Sequence, residues 1–547
     1  MNKPFRPHTL AATIALLLAT APGCTLLGPD YITQNPAQLP SEWQQEDSEQ
    51  SYQQTQQWWQ QFDDDTLNRL VGLAHQQNLS LESAGLNIVQ ARAALGFSDA
   101  LQYPQRQALS GNGAYGYQNK TDYTSVNLGL DMGWEIDIWG KYARGIESAE
   151  ANLYANMASY DQVMITITAE VVRNYINYRT YQERVLLSQQ NIKIQQRITE
   201  ITQVQFDSGD VSELDVQQAK TQLYATLSTL PALEIAQIKA RNALAALLAM
   251  LPEQVDALLQ QGHEPLNLQQ RMAATNNANI KALDDYDARS IIPSVEEMST
   301  QIDANLLSRR PDIQIAQMQA KAQSARIGAT EAELYPSFSL FGSLGVSQVV
   351  PDGGSYSLSE AVYANIGPAF NWNIFQYGRI KNQVRVQDAL FQASLTHYNQ
   401  TVLDAVVEVD NAVEAYQRLN QQLQYNRASV EASVRAFNIS MRQYENGLVS
   451  YQRLLSTVEK MTRNEDNYAQ IKGNIAGQVV QLYKALGGGW QLENGQPLLN
   501  DDTVEQMNKR TDWGDMLTQP IDRQHYDQEL KQRQADREIK RGDANDA

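Results

Sequence analysis

The chain has 547 residues, of which 42% are hydrophobic and 19% charged, with a formal net charge of -19. That length supplies a large core or several domains, and the balance excludes a disordered chain. The acidic charge argues against nucleic acid or anionic headgroups as partners, because both select basic surfaces.

At the N-terminus, Lys3 and Arg6 precede an apolar run from Leu10 to Ala19, followed by "TAPGC" ending at Cys24. The run is too short to cross a bilayer and reads as a signal peptide over residues 1–23. Cys24 is the only cysteine, so an intramolecular disulfide is impossible. Gly23 suits a bacterial lipobox, whose cleaved product begins with an acylated cysteine, although Ala21 and Pro22 depart from the usual Leu and small residue. The alternative is an ordinary signal with an incidental cysteine. Thr25 rather than Asp follows, which resembles lipoproteins sent on to the outer membrane. Residues 24–65 are read as an N-terminal segment carrying the lipid-anchor site.

Beyond it the chain is duplicated. "FDSGDVSELD" at 206–215 aligns with "YENGLVSYQR" at 444–453, a spacing of 238 residues, 444 minus 206. "WEIDIWGK" at 134–141 and "WNIFQYGR" at 372–379 keep that spacing. "DALQYP" at 99–104 and "EAELYP" at 331–336 are 232 apart, 335 minus 103, so the second copy holds an insertion that reads as a loop. Residues 66–250 form repeat 1, 251–300 a linker, 301–489 repeat 2, and 490–547 a C-terminal segment with a polar tail.

Each copy predicts a helix ending at Tyr-Pro, a β-hairpin (106–139 and 337–375), and a long helical hairpin. In the first strand pair, Val126, Leu128, Leu130, Met132, Trp134, Ile136 and Ile138 alternate with polar or small residues. In the second, Val362, Ala364, Ile366, Pro368, Phe370, Trp372 and Ile374 do the same, with Tyr363 and Phe375 breaking the pattern. Such runs suit transmembrane barrel strands, with lipid on one side and a polar lumen on the other. Strands packed on a soluble core also alternate. The export signal and the aromatics near the helix-proximal end (Trp134, Trp139, Phe370, Trp372, Phe375) favour the membrane. Four strands cannot close a barrel, so several chains must contribute.

From Arg379 to Asn446 there is no Gly or Pro, and apolar residues recur at Phe391, Leu395, Tyr398, Val402, Val406, Val409, Val413 and Tyr416. The equivalent seam in the first copy is Leu153, Met157, Tyr160, Met164, Thr168, Val171, Tyr175 and Tyr178. Steps of three and four predict coiled-coil packing, over roughly 100 Å of helix. Gly209 and Gly447 then suit the left-handed residue that ends a helix. A plain coiled-coil spacer would satisfy these helices equally. No run of about 18 apolar residues follows the signal; the nearest, "ALAALLAML" at 243–251, stops at Pro252.

Catalytic signatures are missing. His8, His75, His263, His397 and His525 are scattered, with no pair on one helix face, and no GxGxxG, GxxxxGK[ST] or GxSxG occurs. Neither a metal nor a cofactor is expected, and the chain reads as a non-enzyme.

Together, "GCTLLGPDY" (23–31), "WWQQFDD" (58–64), "LLSRRPDI" (306–313), "ELYPSFSLFGSLG" (333–345), "NIFQYGR" (373–379) and the two glycine turns resemble TolC-type outer-membrane efflux proteins, specifically the OprM-like lipoprotein subfamily. The resemblance implies an α+β fold: a homotrimer whose subunits each give four strands to a twelve-stranded barrel, continued by a periplasmic α-helical tunnel. It implies a duct in the outer-membrane lipid that conducts small toxic compounds, working with a periplasmic adaptor and an inner-membrane transporter of RND type. The repeated phrases become adaptor-facing tips, with Asp207, Gly209, Val211, Ser212, Asn446, Gly447, Val449 and Ser450. The closed end lies nearby, with Glu213, Asp215, Arg453 and Glu459 as gate candidates. Ser456 and Glu459 stand where such sequences often carry Asp and a basic residue, which puts the usual lock in doubt and leaves Arg453 as a substitute. The charges can equally be solvated turn residues. Pro311 and Asp312 suit a helix's first turn and read as structural, while the polar stretch from Asn508 to Ala547 reads as disordered or a loose helix. A type I protein-secretion duct and a periplasmic coiled-coil adaptor are the rival readings.

Overall fold

The computed structural model describes residues 26–32, 56–260, 290–295, 310–351, 354–355, 357–489 and 497–519. Cys24, most of the 251–300 linker and the residues after 519 lie outside the described set. A 3-10 turn (Trp58–Phe62) leads into α1 (Asp65–Gln77) and α2 (Leu79–Ala100). Asp64 caps α1 by accepting from the Leu67 amide at 3.0 Å, and Asn78 caps α2 by accepting from the Ser80 and Leu81 amides. Next come β1 (Arg106–Gln118), β2 (Thr121–Ile136), α3 (Lys141–Asp207), α4 (Glu213–Leu247) and α5 (Pro252–Gln260). The second copy supplies α6 (Pro311–Glu331), β3 (Ser337–Pro351), β4 (Val362–Asn371), α7 (Arg379–Glu445) and α8 (Tyr451–Ala485), and α9 (Asp501–Arg510) follows.

The duplication is visible in the lengths. Helices α3 and α7 have 67 residues each, α4 and α8 have 35 each, and both long helices start after a left-handed glycine, Gly140 or Gly378. The four strands form one antiparallel sheet in the order β1-β2-β3-β4. Asn119 and Lys120, both with positive φ, make the tight β1–β2 turn, whereas β3 and β4 are joined by the longer segment 352–361, where the insertion sits. The strands stop earlier than their alternation predicts. A three-residue turn, with the Ile138 amide on the Ile136 carbonyl at 3.0 Å, ends β2. β4 ends at Asn371, so Ile138, Trp372, Ile374 and Phe375 belong to the strand-to-helix junctions.

Identical seams do not give identical burial. Helix α3 is central, packed between α4 and α8 along one half and against α2 and α6 along the other, whereas α7 borders the bundle beyond α8 and α6. Both seams face inward: Leu153, Met157, Met164, Val171 and Tyr175 are buried on α3, and Tyr398, Val402, Val409 and Tyr416 on α7. The outer side of α7, however, leaves Leu403 53% and Ile439 52% exposed. The polar seam residue Thr168 is fully buried and meets His75 Nε2 at 2.7 Å, and burial pushes that imidazole down to about 4. Trp58, Trp59 and Phe62 fill a core with α1, α3, α4 and α8, and Trp58 stacks on Tyr483 at 5.3 Å.

Two buried arginines tie the chain where helices meet. Arg310 donates to the Ala485 carbonyl, to Asp312 at 2.8 Å and to Glu408 at 2.9 Å, joining the start of α6 to α7 and to the end of α8. Arg144, on the first turn of α3, donates to the Leu27 and Gly28 carbonyls at 3.0 and 3.2 Å, to Asp30 at 2.9 Å and to Glu147 at 2.8 Å. The strap 26–32 is thereby pinned between α3 and α6, packed so closely that a Cβ on Gly28 would overlap the Gly328 backbone and one on Gly328 would overlap the Leu27 carbonyl oxygen. At the other terminus, Leu517 and Met507 are buried against α2 and α3, and Arg92 donates to the Gln519 carbonyl at 2.8 Å.

Candidate functional site

Register divides the sheet into two chemically different faces. Partners directly opposite share a face, so Leu128 lies beside Val346, Leu130 beside Leu344 and Leu109, and Phe338 beside Ile136 and Phe370. These side chains stand in the open: Leu130 is 51% exposed, Leu344 55% and Ile366 75%. A soluble-core strand would be covered, so that reading fails for this sheet. The opposite face carries Asn112, Asn127 and Ser347 in one row, and Ala108, Asp131, Ser343 and Asn365 two rows on. Ser343 donates to Asn365 at 2.7 Å, Ser347 to Asn127, and Arg106 pairs with Asp131 at 3.8 Å. Among the described residues, the outer edges of β1 and β4 have no strand partner.

The tryptophans hold the sheet to the helices. Trp134 Nε1 donates to the Gln102 carbonyl at 3.0 Å, and its repeat partner Trp372 donates to the Leu334 carbonyl, also at 3.0 Å. Trp139 donates to the Pro336 carbonyl at 2.8 Å. An indole with one polar tip suits the boundary between an apolar band and water.

At the far ends of the long helices the two turns share one backbone solution. The Asp210 amide reaches the Gln205 carbonyl and the Leu448 amide the Gln443 carbonyl, both at 2.8 Å, around left-handed Gly209 and Gly447. These are paired Schellman ends. Asp207, Gly209, Ser212, Asn446, Gly447 and Ser450 are exposed there, and Val211 and Val449 are half-buried.

The restart differs between copies. Asp215 accepts from the Ser212 amide at 3.0 Å and its hydroxyl at 2.7 Å, a capping box on α4. Arg453 occupies the equivalent place on α8 and cannot accept. Glu213, Arg453 and Glu459 are exposed, and within the described residues they form no ion pair in the chain. The two hairpins are joined near their tips by polar contacts: buried Tyr444, edge-on to Tyr451 at 6.0 Å, has its hydroxyl 2.9 Å from that of Thr202 of α3, and Glu445 pairs with Arg197 at 3.5 Å. Burial pushes the Tyr451 hydroxyl up, with Tyr444, Glu459 and Asp215 adding to the shift, so acids from both tips face this one phenol. Sequence reasoning missed this link. Its signal was that Tyr444 carries a hydroxyl where its repeat partner Phe206 does not. Above the tips, Arg184 binds Asp466 through two contacts at 2.7 and 3.0 Å, tying α3 to α8.

The model of the outer membrane efflux protein family matches residues 70–250 and 304–488. Nodulation protein T of Rhizobium leguminosarum bv. viciae is 28% identical, covering 88% of this chain and 93% of that protein. The probable outer membrane lipoprotein SilC of Salmonella typhimurium is 25% identical over 89% of this chain and 99% of its own length. The solved outer-membrane channel OprN superposes with a TM-score of 0.72 at 28% identity, covering 85% of this chain and all of that one. The two-faced open sheet, the duplicated helical hairpins and these matches place the chain in the outer membrane efflux protein family, as an outer-membrane channel component.

Proposed function

We propose that three copies close one barrel, edge of β4 to edge of β1, and that the assembly is a passive duct through which small toxic compounds leave the cell. The sheet's exposed apolar band beside two unpaired edges carries this reading, because open edges are not tolerated in lipid. Cys24 acylation would anchor the chain, and the strap held by Arg144 begins two residues after it. The exposed tips offer a periplasmic adaptor two similar backbone turns per chain, and an inner-membrane transporter of RND type supplies the energy. Cysteine substitution tests the wall. Ser343→Cys on intact cells should react with a small membrane-impermeant maleimide, while the adjacent Leu344→Cys, facing lipid, stays protected. Equal labelling of the two, or recovery of the protein as a soluble monomer, overturns the reading.

At the closed end, Glu213 is the freer of the first tip's two gate acids, since Asp215 is engaged on Ser212. An acidic constriction favours cations. Glu213→Gln should therefore move the cation-to-anion permeability ratio towards unity in planar bilayers, with Asp215 left in place to keep the cap. A ratio identical to the wild type would remove Glu213 from the gate.

A further inference from the structure

The polar face of the sheet is not polar throughout: Tyr123, Phe341 and Tyr363 stand on it, each directly opposite a glycine. Tyr363 pairs with Gly345, which pairs with Gly129, and its ring lies across both. A Cβ on Gly129 would come within 2.6 Å of the Tyr363 hydroxyl, and one on Gly345 within 2.8 Å of the ring. Gly129 is accordingly buried, although its neighbours Leu128 and Leu130 are exposed. Tyr123 covers Gly116 in the same way, with the ring 2.5 Å from where a Cβ would be. Phe341 touches Gly367 more loosely, at 3.3 Å.

A tyrosine on an inward-facing wall has two places to go, across the sheet or into the bore. Glycine beds fix the first, because only a residue without Cβ leaves room for a ring against the backbone. We propose that Tyr363, with Tyr123 nearer the outer rim, sets the width of the duct within the barrel, and that Gly129 and Gly116 hold these rings flat so that bulky solutes pass. The inference rests on the polar face being the lumen. Tyr363 lies one row further out than Ser343, towards the β1–β2 turn. A ring lifted there narrows the path from outside to Ser343. Gly129→Ala is the cleanest way to lift it, since the only atoms it would strike belong to the tyrosine side chain.

The test uses Ser343→Cys in the full chain on intact cells, labelled from outside with a small maleimide and with a bulky polyethylene-glycol maleimide. Adding Gly129→Ala should slow the bulky reagent several-fold relative to the small one, and adding Tyr363→Ala to that pair should restore the ratio. An unchanged ratio in Gly129→Ala, or a slowed ratio that persists without the tyrosine, overturns the proposal. No labelling of Ser343→Cys alone by either reagent would instead sink the lumen reading. Gly116→Ala with Tyr123→Ala, close to the turn where backbone change is better tolerated, repeats the comparison if Gly129→Ala does not reach the membrane. Rate ratios unmoved there overturn it equally.

Discussion

Arg144→Met should destabilise the protein by about 3 to 5 kcal/mol, the cost of removing one partner from a buried ionic cluster. The Arg144 side chain is 2% exposed and Glu147 10%, so the variant takes the guanidinium away from a carboxylate in a nearly dry site. The Leu27 and Gly28 carbonyls lose their donors as well. The Asp30 arm contributes little, because that carboxylate is 48% exposed and screened by water. Lysine does not rescue, since one ammonium cannot reproduce a planar fork that reaches four groups. Thermal melts of the detergent-purified protein, with limited proteolysis at residues 26–32, read both consequences: a lower transition and a strap released to protease. An Arg144→Met protein that melts with the wild type and keeps its strap protected would show that the cluster is not a tie.

Trp58→Ala should cost a similar amount, about 3 to 5 kcal/mol, as expected for deleting a buried indole that the surroundings cannot refill. Trp58 is 1% exposed, stacks on Tyr483 with an interplanar angle of 7°, and lies against Gly489, where a Cβ would sit 3.1 Å from its ring nitrogen. It therefore joins the N-terminal 3-10 turn to the end of α8. Trp58→Phe keeps most of the buried area and should recover more than half of the loss. Denaturant midpoints of the three proteins measure this. A Trp58→Ala value within about 1 kcal/mol of the wild type would mean that the site collapses around the gap.

The duplication was legible because a constant offset survives wherever no loop is inserted, and it carried the helix lengths, the glycine starts and the two tips. The strand faces were legible because a period of two needs no tertiary information. Coverage was not. A seam at Tyr398 and Val402 says which side of α7 is apolar, but not that α3 is wrapped by neighbours while α7 lies at the border. Long-range polar ties were also silent. Arg144 is an ordinary charge in the sequence, and only the fold brings Leu27, Gly28 and Asp30 to it. Tyr363 broke the alternation because its place was set by Gly129, far away in the chain but two strands over in the sheet. Alternation continued through Trp372 after the strand had ended, since the indole was needed on the Leu334 carbonyl at the junction. The contact of Arg92 with the Met516 and Gln519 carbonyls was silent as well, because a backbone acceptor leaves no mark on side-chain pattern.

The equal spans of α3 and α7, 67 residues each, make the pair a ruler with two legs. Excising one heptad from a single hairpin would pull its tip back by about 10 Å while its twin stayed put. Any drift in the reach of this protein therefore has to occur twice, once in each half of the gene, before both feet stand level again.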